Sequence, residues 1–264
     1  MRRLLLRVAL AVVAGVFLYL TYVIGGLPSR AEVKALAKRN PGKTSLMRQR
    51  EAEAMKAHRA LRPRQTYVPI SLMSRHFINA VVAAEDPKFF GHEGIDWAAI
   101  RESIETDVKK RGFFRGGSTI TQQLAKNLFF TTEKSITRKI REVVVTRWLE
   151  EDLSKRRILE LYLNVIEWGD GIYGCEAGAQ SQFGKSVSDL DPNEAAGLAA
   201  MIPSPRHINP RASPARYARA QRRILWLMEH ATYVQRSVAG LGVEPKEPTP
   251  EPADEQEAPQ ESEP

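Results

Sequence analysis

The sequence predicts an all-α domain preceded by one N-terminal transmembrane helix, and three observations carry that reading. An almost unbroken apolar run, Val8–Leu27, opens the chain. Beyond it, apolar residues recur at helical spacing behind polar capping residues, as where Ser154 precedes Ile158, Leu159, Tyr162 and Leu163. No convincing hairpin, no strand–helix alternation and no repeat of about 20–50 residues interrupts the pattern. With 264 residues, 43% hydrophobic and 27% charged, the chain can bury one sizeable core.

The N-terminal run comes first in the chain. A bilayer core takes roughly 20 apolar residues as a helix, and residues 8–27 supply them. Arg2, Arg3 and Arg7 precede the run, so residues 1–7 read as a cytoplasmic basic stub and the body as lying outside. Tyr19 and Tyr22 fall where the outer interface is expected. A cleaved signal peptide is the competing reading. Against it, the run is long for such a segment, and Leu27-Pro28-Ser29-Arg30 lacks a small-x-small cleavage pattern.

Residues 28–69 are polar and rich in Lys and Arg, and read as a juxtamembrane linker with a surface helix over Ser45–Leu61. The main domain is expected over residues 70–235. His76–Ala84 is helical in pattern, with Phe77, Ile78, Val81 and Val82 on one side. Asp96 reads as an N-cap, with Ile95 and Ile100 as a hydrophobic staple, for a helix ending near Lys109–Gly112. Phe113–Gly117 reads as a mobile loop. Thr119 and Gln122 form a Thr-x-x-Gln cap for a helix to about Phe130. An amphipathic helix over Glu133–Leu149 follows, and then the helix behind Ser154. Asp191-Pro192-Asn193-Glu194 combines an N-cap, a first-turn proline and a glutamate three residues on. Ser213-Pro214 opens a long basic helix toward Tyr233. The tail, residues 244–264, is Pro/Glu-rich and predicts disorder.

Charge narrows the partners. The net charge is +8, yet the tail is acidic, which leaves about +15 on the rest by the same formal count. So basic a body seeks an anionic partner: nucleic acid, a membrane surface or a phosphorylated substrate. Cys175 is the only cysteine, which excludes an intrachain disulfide. His58, His76, His92, His207 and His230 are scattered, and no Cys/His cluster has structural-zinc spacing.

Three strings suggest chemistry. Glu85 ends an apolar helix just before Asp86-Pro87, where proline discourages further helix. In a partly closed apolar cleft its pKa would rise, which suits a general base; the plainer reading is a solvated surface glutamate. Ser118, Thr119 and Thr121 put hydroxyls and free amides at a helix start, a ready anion site, although capping alone also explains them. Lys126 lies two turns further along that helix. Arg138-Lys139-Ile140-Arg141-Glu142 offers either an exposed i,i+4 ion pair or a cation cluster around a second carboxylate. Tyr162 and Asn164 read as structural.

Taken in order, these strings resemble the conserved blocks of the peptidoglycan glycosyltransferases of family 51, and among them its monofunctional transglycosylases. Glu85-Asp86-Pro87-Lys88-Phe89-Phe90-Gly91-His92-Glu93-Gly94 matches the first block. Gly116-Gly117-Ser118-Thr119-Ile120-Thr121-Gln122-Gln123 with Lys126 matches the second. Arg138-Lys139-x-x-Glu142 matches the third, and Lys155 to Asn164 the fourth. Gly169, Gly171, Gly174, Phe183-Gly184-Lys185 and Pro203-Ser204-Pro205 extend the likeness, which covers about residues 70–225.

The resemblance implies a lysozyme-like all-α glycosyltransferase domain with a small mobile lobe near residues 95–118. It implies inverting polymerisation of lipid II into β-1,4 glycan with release of undecaprenyl pyrophosphate. Glu85 is then the catalytic base and Glu142 the second essential carboxylate, assisting the diphosphate. Asp86, His92, Ser118, Thr119, Thr121, Gln122, Gln123, Lys126, Lys134, Arg138 and Lys139 are the expected substrate-binding or supporting residues. Lys134 stands where the family commonly has arginine, which keeps the charge but loses the bidentate fork. No cofactor is expected to bind tightly; Mg²⁺ or Mn²⁺ would arrive on the diphosphate and touch Glu142. Expected partners are lipid II, the growing glycan strand, the bacterial inner membrane and other cell-wall synthesis proteins, with no nucleic acid. Phe113-Phe114, between basic residues, is expected to dip into the membrane interface. No Ser-x-x-Lys transpeptidase motif appears, so cross-linking is left to other proteins. Two other classes stay open: a lytic lysozyme-type muramidase, which leaves the cations unexplained, and a non-catalytic anchored polyanion binder, which leaves the two glutamates unexplained.

Overall fold

Capping chemistry and apolar stripes place eleven α-helices with both ends described in the computed structural model, which describes residues 1–101 and 117–242. The expected interfacial pair Phe113-Phe114, most of the expected mobile lobe and the acidic tail lie outside the described residues. The first helix, α1 (Arg2–Gly25), carries Arg2, Arg3 and Arg7 in its first turns, is almost wholly apolar from Val8 onward, and buries only Val23. It is long and apolar enough to cross a membrane, with a mean hydropathy of 2.3 over its best window. Two helices follow on the polar segment, α2 (Arg30–Ala35) and α3 (Ser45–Lys56). The second ends five residues short of the predicted Leu61, because His58 turns the backbone to a positive φ of 50°. Both pack on the body: Val33 and Leu36 join the core, and Leu46, Met47 and Ala54 are buried. The core therefore begins well before Ile70. Five apolar residues scattered among Lys and Arg make no visible stripe, which is why the sequence hides them.

Helix α4 (Arg75–Glu85) runs through the centre, with Phe77, Ile78, Ala80, Val81 and Val82 fully buried. Helices α5 (Ile120–Phe129), α6 (Ile136–Asp152) and α7 (Lys155–Val165) form one packed group, and α6 starts three residues later than predicted, at the Ser135 cap. Helix α9 (Pro192–Met201) packs on α4, together with α10 (Pro214–His230) and α11 (Thr232–Ala239). The long basic helix predicted from Ser213 is thus two helices, broken at Ala231 where ψ swings to 63°. The caps behave as predicted: Ser154 accepts from the Arg157 amide at 3.3 Å, Asp191 from Glu194 at 2.8 Å and Asp96 from Ala99 at 2.9 Å.

A small sheet departs from the all-helical expectation. It orders β1 (Arg64–Gln65), β3 (Ile172–Tyr173) and β2 (Glu167–Gly169), with β3 parallel to β1 and antiparallel to β2. Strands of two or three residues are too short to show a period of two. Gly171 makes the hairpin turn at φ 72°. Gly174 then starts α8 (Cys175–Phe183) against the Asn164 carbonyl, where a Cβ would come within 2.7 Å of the oxygen. Asn164 bonds Val68 through both ends of its amide, at 2.8 and 2.9 Å, and its buried place confirms the structural reading.

Candidate active site

Glu85 is the last residue of α4, and Asp86 stops that helix with an extended φ of −159°. The chain then folds back over the N-terminus of α5. Asp86 Oδ2 accepts the Ile120 amide proton at 3.0 Å, so the protein places its own anion at that helix start. His92 Nδ1 accepts from the Gly94 amide at 3.1 Å, which leaves Nε2 to donate to Asp86 at 3.0 Å. Thr119 Oγ1 donates to the Gly94 carbonyl at 2.6 Å. The first block is thereby tied to the second, and Asp86 and His92 serve as the brace between them.

That brace bears on the anion site expected at the start of α5. The Thr119, Ile120 and Gln122 amides there already have side-chain acceptors, Gln122, Asp86 and Thr119. Thr119 and Gln122 form a full capping box, and both are buried. Thr121 points the other way and donates to Glu150 at 2.5 Å, a carboxylate that also pairs with Lys155 at 2.8 Å. The side chains of Thr119, Thr121 and Gln122 are committed to the fold. Ser118 alone of the hydroxyl group is exposed, and it accepts from Lys139 Nζ at 3.2 Å.

Further along α5, two side chains turn to Glu85. Gln123 Nε2 donates to Glu85 Oε2 at 2.8 Å, and Gln123 Oε1 accepts from the Tyr162 hydroxyl of α7 at 3.0 Å. Tyr162 is fully buried, and burial pushes its own pKa well up. It holds the glutamine that holds the glutamate. Burial raises the pKa of Glu85; the Gln123 hydrogen bond and the Lys126 charge pull it down less, and neighbouring Asp86 adds to the rise. The Lys126 pKa is lowered by burial and by the positive charges of Arg138 and Arg50, against a smaller opposing pull from Glu85.

The third block brings the second carboxylate. Glu142, on α6, is 2% exposed. It is ion-paired to Arg138, one turn back, and lies 3.4 Å from Lys139 Nζ. Burial lowers the pKa of Lys139 too, helped by Arg138 and Lys126. Among the described residues Lys126, Arg138 and Lys139 therefore crowd together with too little negative charge among them, as a site awaiting a polyanion should, and Arg50 of α3 adds to the positive potential at Lys126. Arg50 itself pairs with Glu167 at 2.9 Å and with Glu53 at 2.9 Å. No sequence pattern points to Arg50, since α3 reads as a polar surface helix. Lys134 sits on the exposed turn before α6 and makes no hydrogen bond or ion pair among the described residues.

A divalent metal finds little here to hold it. Glu142 offers one carboxylate already matched by two cations, and no group of three or more His, Cys, Asp or Glu gathers among the described residues. The donor set does not fit a protein-built metal site.

Comparison with known proteins identifies the family of the chain. Residues 51–229 match the family model described as Transglycosylase. A biosynthetic peptidoglycan transglycosylase of Dechloromonas aromatica (strain RCB) is 48% identical over 168 residues, covering 64% of this chain and 73% of its own. That of Azoarcus sp. (strain BH72) is 46% identical over 199 residues, covering 74% and 86%. That of Chromobacterium violaceum is 41% identical over 207 residues, covering 78% and 88%.

Proposed function

The chain belongs to the transglycosylase family, and from that premise we propose that it polymerises lipid II with Glu85 as general base. It is a peptidoglycan transglycosylase, and α1 fits a single-pass membrane anchor. In the proposed reaction the acceptor's 4-hydroxyl gives its proton to Glu85 as its oxygen forms a bond to C1 of the donor sugar. The bond from C1 to the diphosphate breaks on the opposite side, and its electron pair leaves on undecaprenyl pyrophosphate. Attack from the face opposite the departing diphosphate inverts the α-linked donor to a β-1,4 linkage.

Each residue has a part in this scheme. Lys126, Arg138 and Lys139 offset the charge gathering on the diphosphate, an effect strongest where water is excluded. Glu142 acts by fixing Arg138 and Lys139 in place. Ser118 lies at the rim, on Lys139, and Lys134 is free to meet a phosphate from the exposed turn. Asp86 and His92 hold the two blocks in register. The cations supply the leaving-group charge compensation that Mg²⁺ or Mn²⁺ would otherwise bring. Arg2, Arg3 and Arg7 favour a cytoplasmic N-terminus, with the catalytic body across the inner membrane.

The observation that carries the proposal is Glu85 itself: a carboxylate with a raised pKa, held by a neutral amide at 2.8 Å, near Lys126, which makes no ion pair among the described residues. Labelled lipid II, incubated with the full chain, tests it. The wild type should yield glycan polymer, and Glu85→Gln should lose about 10²–10⁴-fold in rate while binding lipid II. Near-normal synthesis by a folded Glu85→Gln protein would remove Glu85 from the role of base. Release of fragments from preformed glycan, in place of polymer, would make the protein a lytic muramidase.

A further inference from the structure

The apolar helix α1 touches the body almost solely at its C-terminal end, and the contact is on α6. Val23 is its one buried residue. No basic residue lies in the last turn of α1 to answer the negative end of the helix. Arg141 of α6 does so instead. Its Nε donates to the Val23 carbonyl at 2.9 Å, its Nη2 donates to the Tyr22 carbonyl, and its Cζ lies 4.8 Å from the centre of the Tyr22 ring. One turn back on the same face of α6, Thr137 Oγ1 meets the Tyr19 hydroxyl at 3.2 Å. Gly26 leaves room for the guanidinium: a side chain there would collide with it.

Thr137 and Arg141 are i,i+4 neighbours, and so are Arg138 and Glu142, one residue around the helix. A single rigid helix thus carries the anchor on one face and the cations on the next. Arg141 and Arg138 differ by about 4.5 Å along the axis, at 1.5 Å per residue. The final carbonyls of a spanning helix lie near the membrane surface, where they need donors. The diphosphate of a lipid-linked substrate lies at that same depth.

We propose that Arg141 is a positioning residue: it latches the last turn of the anchor to α6 and so holds Arg138, Lys139 and Glu142 level with the substrate's diphosphate. The inference rests on the reading of that cluster as a diphosphate site. It needs no contact between Arg141 and substrate.

The full chain, in proteoliposomes and in detergent micelles, tests it. Tyr19 replaced by photoreactive benzoylphenylalanine reports the latch directly, through a cross-link to the α6 peptide that holds Thr137. Arg141→Ala and Gly26→Val should each reduce that cross-link, one by removing the guanidinium and the other by displacing it. Both should raise KM for lipid II about tenfold in bilayers, the scale of losing a charged hydrogen bond, with kcat within about twofold. In micelles, where depth is not imposed, KM should return to within about twofold of the wild type. Arg141→Lys should fall between. Absence of the α6 cross-link in the wild type overturns the latch. So does an unchanged KM in bilayers after the cross-link is lost, and so does an equal rise in micelles, which would place Arg141 in the fold. A wild type that makes no polymer in either medium instead removes the transglycosylase mechanism, while the cross-link still decides whether the latch exists.

Discussion

Glu85 and Glu142 are both carboxylates at helix positions beside the same cations, yet their surroundings are opposite. Among the described residues Glu85 receives one side-chain hydrogen bond, from a neutral amide, and forms no ion pair. Glu142 is closed in by Arg138 and Lys139. A carboxylate held by an amide can take up a proton without breaking an ion pair. One held by two cations cannot, since protonation would leave two positive charges facing each other. The difference supports the proposed roles, with Glu85 as the base and Glu142 as the residue that orders Arg138 and Lys139.

The sharpest way to break this contrast is to neutralise each glutamate in turn and compare stability with rate. Glu142→Gln should lower the melting temperature by about 3–10 °C, because a buried partner of two cations is removed. It should also lower polymerisation, with weaker donor binding. Glu85→Gln should cost the rate far more and the fold nothing. The sign follows from its pKa. The folded protein holds the Glu85 proton more tightly than the unfolded chain does, so ionisation costs stability as pH rises from the free value, about 4.3, through the raised one. Gln escapes that loss. Melting curves from pH 4 to 7 should therefore show the variant gaining on the wild type as pH rises. Equal stability losses in both variants would mean that the two carboxylates do the same work.

A second, smaller test concerns the shared cation. Burial and the charges of Arg138 and Arg50 hold the pKa of Lys126 down, so its positive charge costs the fold something until an anion arrives. Lys126→Met keeps the length and drops the charge. It should leave the melting temperature equal or slightly higher, and weaken lipid II binding about 10–100-fold at low salt. The salt dependence of binding should also become shallower. Unchanged affinity across ionic strengths would return Lys126 to the role of a surface lysine.

What the sequence showed of this site was its order, not its directions. The block from Glu85 to Gly94 and the block from Gly116 to Gln123 could be recognised because few residue types are tolerated in such turns. Which way each side chain points could not. Thr119 and Thr121 are two residues apart, about 200° around a helix, so one caps α5 while the other meets Glu150. The Ile120 amide at that helix start is instead met by Asp86, through a contact 34 residues apart that no local pattern encodes. Arg141 hides among the charged residues from Arg138 to Glu142, where only the fold separates the one that faces α1 from those that gather around Glu142. The short strands and the core positions Val33 and Leu36 escaped for a different reason: each is too brief to set up a period.

The subtlest test reaches Glu85 through a residue that never meets it. Tyr162 donates to Gln123, and Gln123 donates to Glu85. The groups facing Glu85 are Gln123 and Lys126 from α5 and Asp86 beside it in the chain, with the Tyr162 hydroxyl one bond further back on α7. Tyr162→Phe keeps the buried ring and removes only the hydroxyl. The Gln123 carbonyl then loses its donor, and the amide is freer to turn away from the carboxylate. Since that amide's hydrogen bond lowers the pKa of Glu85, its weakening should raise it. The acidic limb of the kcat profile should move to higher pH by less than about one unit, with a plateau about threefold lower. KM should hold, because no charge facing the donor has changed. A merely structural tyrosine would instead lower stability and leave the limb where it was, and that outcome would cut Tyr162 out of the chain that positions the base.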